Sequence, residues 1–250
     1  IKLITTTNKG VSGARNTGIE AANANYIALL DGDDLWENNY LNEIKCAISV
    51  FSSNSVFSTA IAHKYQNRTT PATYNFKQEK KSSIRNFFES SLDHSILTSS
   101  SIVFKKDILR KIGYFDTSIK SGEDIDFWIR IGMNYDVVFI NKVLAYYNYV
   151  SDSISNTMFS VKNKPKFDKF IEEEKSNKYL KIYIDRNRFP LAILSKLEKN
   201  EEGFRFYQSQ INNNNLRVKQ RIILHLPVWL LKLMLRLKSL HGKKMYYPVN

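Results

Sequence analysis

Tyr26-Ile27-Ala28-Leu29-Leu30-Asp31-Gly32-Asp33-Asp34-Leu35-Trp36 decides how the rest of the chain is read. Its five leading uncharged residues, too few for a typical helix, read as a buried strand over 26–30. The carboxylates of Asp31, Asp33 and Asp34 follow at once and so stand at the carboxyl end of that strand, where open α/β sheets hold their ligands. Carboxylates this close repel one another unless a cation, hydrogen-bond donors or water screen them. A hard divalent ion meets that need. Mg²⁺ and Mn²⁺ favour oxygen ligands, and Mg²⁺ is usually held by one or two carboxylates plus substrate phosphates. The competing reading is a solvated acidic turn opening the next helix, and on this stretch alone the two are evenly matched.

Working outward, residues 1–5 read as a short strand, and Asn8, Gly10, Ser12 and Gly13 as a turn leading into a helix that starts near Ser12. A helix N-terminus after such a turn can bind an anion, with Arg15 in the first turn placed to pair with a phosphate. A plain capped helix is the simpler alternative. Downstream, a helix over 38–50 sets Leu41, Ile44, Ile48 and Phe51 on one core face, and 55–63 reads as a strand. Residues 66–83 are polar and basic and read as a surface loop. A helix over 84–92, a strand over 96–104 and a helix over 105–112 stopped by Gly113 follow. His63 and His94 stand isolated and read as packed or surface residues.

Gly122-Glu123-Asp124-Ile125-Asp126-Phe127-Trp128 is the second informative stretch. A turn at Ser121-Gly122 opens a helix with Glu123, Asp124 and Asp126 in its first turn and Phe127, Trp128 and Ile131 on its buried face. Such acids complement the helix dipole, worth about 0.3–1 kcal/mol each, or one of them is a general base held at a cleft. Residues 137–140 and 143–149 read as two closing strands.

The chain's 250 residues suffice for one sizeable core or a domain with an appendage, and 43% hydrophobic content fits a globular protein. A net charge of +13 implies a polyanionic partner: nucleic acid, an anionic membrane face or phosphorylated substrates. Cys46 is the single cysteine, so there is no internal disulfide, which fits a reducing compartment. The opening residue is Ile1 in an apolar strand pattern, from which the chain is expected to lack its true beginning. Beyond Ser155 the texture turns lysine-rich and helical, with helices over 167–183 and 191–207. The final segment, 221–240, aligns Arg221, His225, Lys232, Arg236 and Ser239 along one stripe. Its regular part, from Pro227, is about 21 Å long at 1.5 Å per residue, too short and too charged to span a bilayer. With Trp229 and many leucines it reads as a basic amphipathic helix for a membrane interface, the alternative being packing on its own domain.

Taken together, Asn8-Lys9-Gly10-Val11-Ser12-Gly13-Ala14-Arg15-Asn16 with Gly18, then Leu30-Asp31-Gly32-Asp33-Asp34, then Gly122-Glu123-Asp124 with Asp126, in this order, resemble the family 2 nucleotide-sugar glycosyltransferases. The resemblance implies an α/β GT-A fold, a Rossmann-like mixed sheet with its first strands missing, over residues 1–155, and a helical C-terminal extension over 156–250. It implies Mn²⁺ or Mg²⁺ on a nucleoside diphosphate sugar, held by Asp33 with Asp31. Asp31 and Asp34 would face the sugar, the ribose or the metal, and Asn8, Gly10, Arg15, Asn16 and Glu123 would line the substrate site. Asp124 matches the family's catalytic base. The implied activity is inverting transfer from a UDP-sugar to a glycan or lipid-linked glycan in bacterial surface polysaccharide synthesis. Its expected place is the cytoplasm, peripheral on the inner, anionic face of the cell membrane, with no nucleic-acid partner. Relatives commonly carry Arg at the Asn148 position and often His at the Val150 position, and a valine supplies no metal bond.

Two other readings stand beside this one. A hydrophobic strand followed by Asp-x-Asp also resembles haloacid-dehalogenase-like phosphatases, with Asp31 as nucleophile and Asp33 as acid, although that leaves the Asn8–Gly18 and Gly122–Asp126 stretches without a task. A non-catalytic basic binding module would explain the charge and leave the acidic crevice unexplained. A calcium loop fails because Trp36 stands where that motif needs glycine.

Overall fold

The computed structural model describes residues 2–65, 68–78, 80–148 and 160–240, with side chains through Leu235. Val150, the position of the expected third metal ligand, lies outside the described residues, as do Tyr149 and residues 151–155. The chain divides into two compact units, Ile1–Asn156 and Thr157–Asn250.

The first unit is built on a mixed sheet. Its strands are β1 (Tyr26–Ala28), β2 (Leu35–Trp36), β3 (Val56–Tyr65), β4 (Arg68–Pro71), β5 (Ser82–Arg85), β6 (Ile102–Lys105) and β7 (Val137–Asn148). The order is β1-β6-β3-β7-β2, with β4 on β3 and β5 on β7. β3 and β7 run parallel, and every other pairing among the described residues is antiparallel. Helix α1 is Gly10–Ala21, α2 Tyr40–Val50, α3 Phe87–Ser90, α4 Leu109–Ile112 and α5 Glu123–Gly132.

Successive residues of a strand point to opposite faces, and β6 shows how the layers form. Val103 joins the cluster with Tyr40, Ile44 and Ala47 of α2, while Phe104 meets Phe127 of α5 at 5.8 Å between ring centroids. The sheet therefore lies between α2 and α5. Phe127 also stacks on Phe115 at 4.1 Å. Each such fully buried side chain contributes roughly 1.5–3 kcal/mol.

Several expectations are corrected. Residues 2–5 form no strand and are exposed, Leu3 at 89%, because no neighbouring strand takes up their backbone groups. The strand expected over 26–30 is regular only at Tyr26–Ala28, and it is an edge strand in which Ile27 alone is buried. Of the face expected on α2, Ile44 is buried and Ile48 and Phe51 pack against the core, but Leu41 is 60% exposed: Tyr40 and Ala47 turn inward in its place, because stacking of Tyr40 on Trp36 at 4.1 Å sets the helix rotation. The basic segment read as loop holds β4 and β5, whose polar residues pair along β3 and β7. Residues 137–148 form one strand rather than two, with its pairing to β3 shifted around Thr59–Ile61. An irregularity of that kind bends a strand without ending it.

The second unit is helical: α6 (Ile171–Ser176), α7 (Lys178–Leu197), α8 (Glu201–Gln210), α9 (Val218–His225) and α10 (Val228–Leu240). α7 runs through the break expected after residue 183. Pro190 sits inside it, but Leu191, Ala192 and Ile193 directly afterwards are buried, and their packing outweighs the backbone bond that proline removes. At its heart Arg188, 1% exposed, forks onto Glu174 with two bonds of 2.6 Å.

Candidate active site

The acidic motif leaves β1 and enters β2 through a tight turn closed by the Asp34 N–H on the Asp31 carbonyl. β2 pairs with the far end of β7, Leu35 opposite Tyr146 and Trp36 opposite Ala145. That end is also where the parallel strands β3 and β7 finish, so the carboxylates sit at their carboxyl edge, the usual ligand position of such sheets.

α5 delivers the second acidic group. Gly122 takes φ 82°, a left-handed conformation that glycine adopts without strain, and the helix starts at Glu123. Arg15 joins the two motifs. Its Nη2 donates to Asp31 Oδ1 at 2.8 Å and its Nη1 to Glu123 Oε1 at 2.7 Å. Burial opposes the charge on Arg15, yet Asp31 and Glu123 outweigh it and hold the guanidinium above the usual arginine range. Because α1 begins at Gly10 rather than near Ser12, Arg15 falls in the second turn.

The carboxylates differ in character. Asp34 is buried, and both its oxygens are used: Ser100 Oγ donates to one at 2.5 Å and the Asn148 N–H to the other at 3.1 Å. Burial nevertheless pushes its pKa up to about 6, with Asp31 and Asp33 adding repulsion against those two hydrogen bonds. Asp124 is half-buried. Its surroundings and the neighbouring Glu123 raise it to about 6, while Arg15 works in the other direction. Asp33 is exposed and takes part in no described hydrogen bond or ion pair.

The structure thus brings Arg15, Asp31, Asp34, Glu123 and Asp124 together, with Asp33 at the rim. It does not bring in the other expected residues. Asn8 accepts from the Gly10 N–H in an exposed turn. Asn16 uses both ends of its amide on the backbone of Phe115, and Ser12 Oγ donates to the Asp116 carbonyl. The polar groups of this helix start clamp α1 to the 113–116 loop.

Two residues went unnoticed in the sequence. Ser100, fully buried, also receives the Asp31 N–H at 3.1 Å, and its carbonyl receives Trp36 Nε1 at 2.6 Å. The run Ser99-Ser100-Ser101 before an apolar strand was a usable signal, since buried hydroxyls need partners. Tyr147 on β7 is the other. Burial and the nearby charges of Asp124, Asp31 and Asp34 hold its hydroxyl well above the usual tyrosine value. His63 pairs with it across β3 and β7, and His94 lies 5.4 Å from His63 between ring centroids, so the two histidines share one wall.

Among the described residues no group of three or more His, Cys, Asp or Glu side chains converges as a ready-made metal cage. Asp33 and the second oxygen of Asp31 still fit an ion that arrives with a diphosphate, since such ions take most of their ligands from substrate and water.

The family model for Glycosyl transferase family 2 matches residues 1–113. Over that stretch, just under half of the chain, the sequence is similar to the family 2 glycosyltransferases. It is 37% identical over 125 residues to the minor teichoic acid biosynthesis protein GgaB of Bacillus subtilis (strain 168), covering 47% of this chain and 13% of that protein. Its fold is similar to the crystal structure of S. aureus TarS, with a TM-score of 0.57 and 17% identity over 97% of this chain and 45% of that one. GalNAc-T7, solved with UDP, GalNAc and Mn²⁺, gives a TM-score of 0.50 and 13% identity over 88% of this chain and 45% of that one. The chain therefore spans less than half of each of these proteins. The likenesses to solved structures establish the GT-A fold, a mixed α/β sheet between helices, with further helices in the C-terminal part.

Proposed function

We propose that this chain is a glycosyltransferase that moves a sugar, with inversion, from a nucleoside diphosphate sugar, a UDP-sugar, to a hydroxyl of a glycan or lipid-linked glycan in surface polysaccharide synthesis. The observation that carries the reading is Arg15 clasping Asp31 and Glu123, which sets Asp124 beside the acidic turn. A carboxylate with a pKa near 6 is ionised at neutral pH yet more basic than an ordinary one, which suits a general base. Asp124 takes the proton of the acceptor hydroxyl as that oxygen bonds to the anomeric carbon. The bond to the diphosphate breaks, and its electron pair leaves with the phosphate oxygen. A single displacement needs one base and no covalent carboxylate partner, unlike a retaining glycosidase.

Asp33 with the free oxygen of Asp31 would hold Mn²⁺ or Mg²⁺, which when bound with the donor supplies charge neutralisation for the leaving diphosphate. Arg15 keeps Asp31 and Glu123 from swinging into the donor's space, and Asp34, fixed by Ser100 and Asn148, holds the turn in shape. The name of GgaB supports a surface-polymer acceptor, and the UDP bound to GalNAc-T7, whose fold is similar, supports a UDP-sugar donor. A lipid-linked acceptor is anchored in a bilayer, so the reading puts the chain in the cytoplasm against the inner membrane face.

The test is calorimetric titration with UDP, with and without Mn²⁺, followed by sugar release from UDP-sugars in wild type and Asp124→Asn. Metal-dependent UDP binding in both proteins, with transfer in the wild type alone, is expected. Absence of UDP binding under every metal condition, or equal transfer by the variant, overturns it.

A further inference from the structure

From Gly203 to Asn250 there is no Asp or Glu but nine Lys and Arg, so most of the chain's net charge of +13 resides in this last stretch. α9 and α10 both pack on α7, each through a buried leucine, Leu224 at 1% and Leu231 at 4% exposure. Packing on the chain's own helices, the simpler of the two expectations, is thus real and accounts for one stripe.

It does not account for the other. α9 leaves Val218 and Ile222 at 63% and 58% exposure, and α10 leaves Trp229 and Leu233 at 68% and 45%. Each pair is spaced four residues apart, which puts its members on one helix face. Since both helices turn their buried leucine towards α7, both exposed pairs point away from it. Arg217, Lys219 and Lys232 stand exposed beside them.

We propose that the outer face of α9 and α10 seats this chain on an anionic lipid bilayer. Trp229 and Leu233 enter the boundary between headgroups and acyl chains, and the cations engage lipid phosphates. No helix among the described residues is long and apolar enough to cross a membrane, so this face acts by lying in the interface. A nucleic acid would use the cations but leave the aliphatic pairs uncovered. A second copy would bring two strongly cationic faces together without an acid on either to relieve the repulsion. The inference deepens the membrane-side placement proposed above by naming the surface that makes it, and it is tested apart from sugar transfer, because it concerns residues in the other unit and its readout needs no activity.

The experiment is co-sedimentation of the full chain with phosphatidylcholine vesicles, with and without phosphatidylglycerol, at low and high salt. Wild type should bind the anionic vesicles at low salt and release at high salt. Tryptophan emission should shift to the blue, because Trp229 is open to solvent whereas Trp128 is 2% exposed. Lys219→Glu with Lys232→Glu should lower the partition coefficient by about 25-fold or more, taking about fivefold, or ~1 kcal/mol, for each cation removed. Trp229→Gln should weaken binding and abolish the blue shift, and circular dichroism checks that each variant folds. Equal binding to neutral vesicles, no binding at all, or unchanged partition in both folded variants overturns the proposal. So does a concentration-dependent dimer that Trp229→Gln dissolves, which would assign the face to a second copy.

Discussion

Arg15 Nη1 lies 2.7 Å from Glu123 Oε1 across 108 residues of chain. This bond, with the partner bond to Asp31, joins the acidic turn to the helix that carries Asp124. With Arg15 at 12% and Glu123 at 9% side-chain exposure, it is closer to a buried pair than to a surface one. Removing the cation leaves Glu123 nearly dry and uncompensated. Arg15→Ala should therefore cost on the order of 3–5 kcal/mol of stability. Arg15→Lys should recover only part of it, because a single ammonium lacks the planar fork that serves two carboxylates at once. Urea unfolding of the three proteins checks this, and a loss below about 1 kcal/mol in the alanine variant would show that the pair is solvated.

Ser100→Ala tests the buried brace. The hydroxyl both donates to Asp34 and accepts from the Asp31 N–H, so its loss strands two groups in a region where Ser100 is fully buried. A cost of about 1–3 kcal/mol follows from leaving buried polar groups unsatisfied. UDP binding should weaken as well, since the turn that presents Asp33 loses its anchor. Unchanged stability together with unchanged UDP affinity would count against Ser100 as an organiser.

The contrast between Ser100 and Asp124 explains what was legible beforehand. α5 declares itself locally: a turn with Gly122, acids in the first helical turn and a run of apolar residues are all contained in one short stretch. The Asp-x-Asp turn is equally local. Ser100 reaches Asp34 across 66 residues, and no periodicity encodes such a bond. Tyr147 and His63 were invisible as partners for the same reason: they meet only because β3 and β7 run parallel. The sequence of β7 suggests two strands because Asn141 and Lys142 interrupt its apolar pattern, although the backbone continues through them. Asn16 is the converse case. It belongs to a motif that implies substrate contact, yet its amide is spent on Phe115.

Asp33→Asn should weaken Mn²⁺-dependent UDP binding far more than Asp34→Asn. Asp33 is exposed and uncommitted, whereas Asp34 already has both oxygens occupied by Ser100 and Asn148. Asp34→Asn should instead appear as lost stability, because an amide NH₂ placed against a donor cannot replace a carboxylate oxygen there. Titration calorimetry with UDP, with the divalent ion present and then chelated, separates the two effects. Equal, metal-independent affinity in wild type and Asp33→Asn would remove Asp33 from the metal site.

Asp124→Asn should lose function and gain stability in the same protein. As the base, Asp124 contributes about 10²–10⁴-fold to transfer, and the amide cannot accept the proton. The wild-type rate should also fall about tenfold per pH unit below pH about 6, where the carboxyl takes up its proton. The stability effect has the opposite sign. Burial and Glu123 raise the folded-state pKa to about 6, against an unfolded value near 4, so the folded state holds the proton more tightly and ionisation opposes folding. That cost is absent below pH about 4, grows between about 4 and 6, and is constant above. Asn carries no charge to desolvate, so the variant should melt higher than wild type at pH 7, and the difference should shrink to nothing as the pH falls towards 4. Thermal melts across this range, run beside transfer assays, read both effects. A variant that loses transfer and is also destabilised at pH 7 would mean that the Asp124 carboxylate holds the helix start together rather than waiting, strained and ionised, for an acceptor proton.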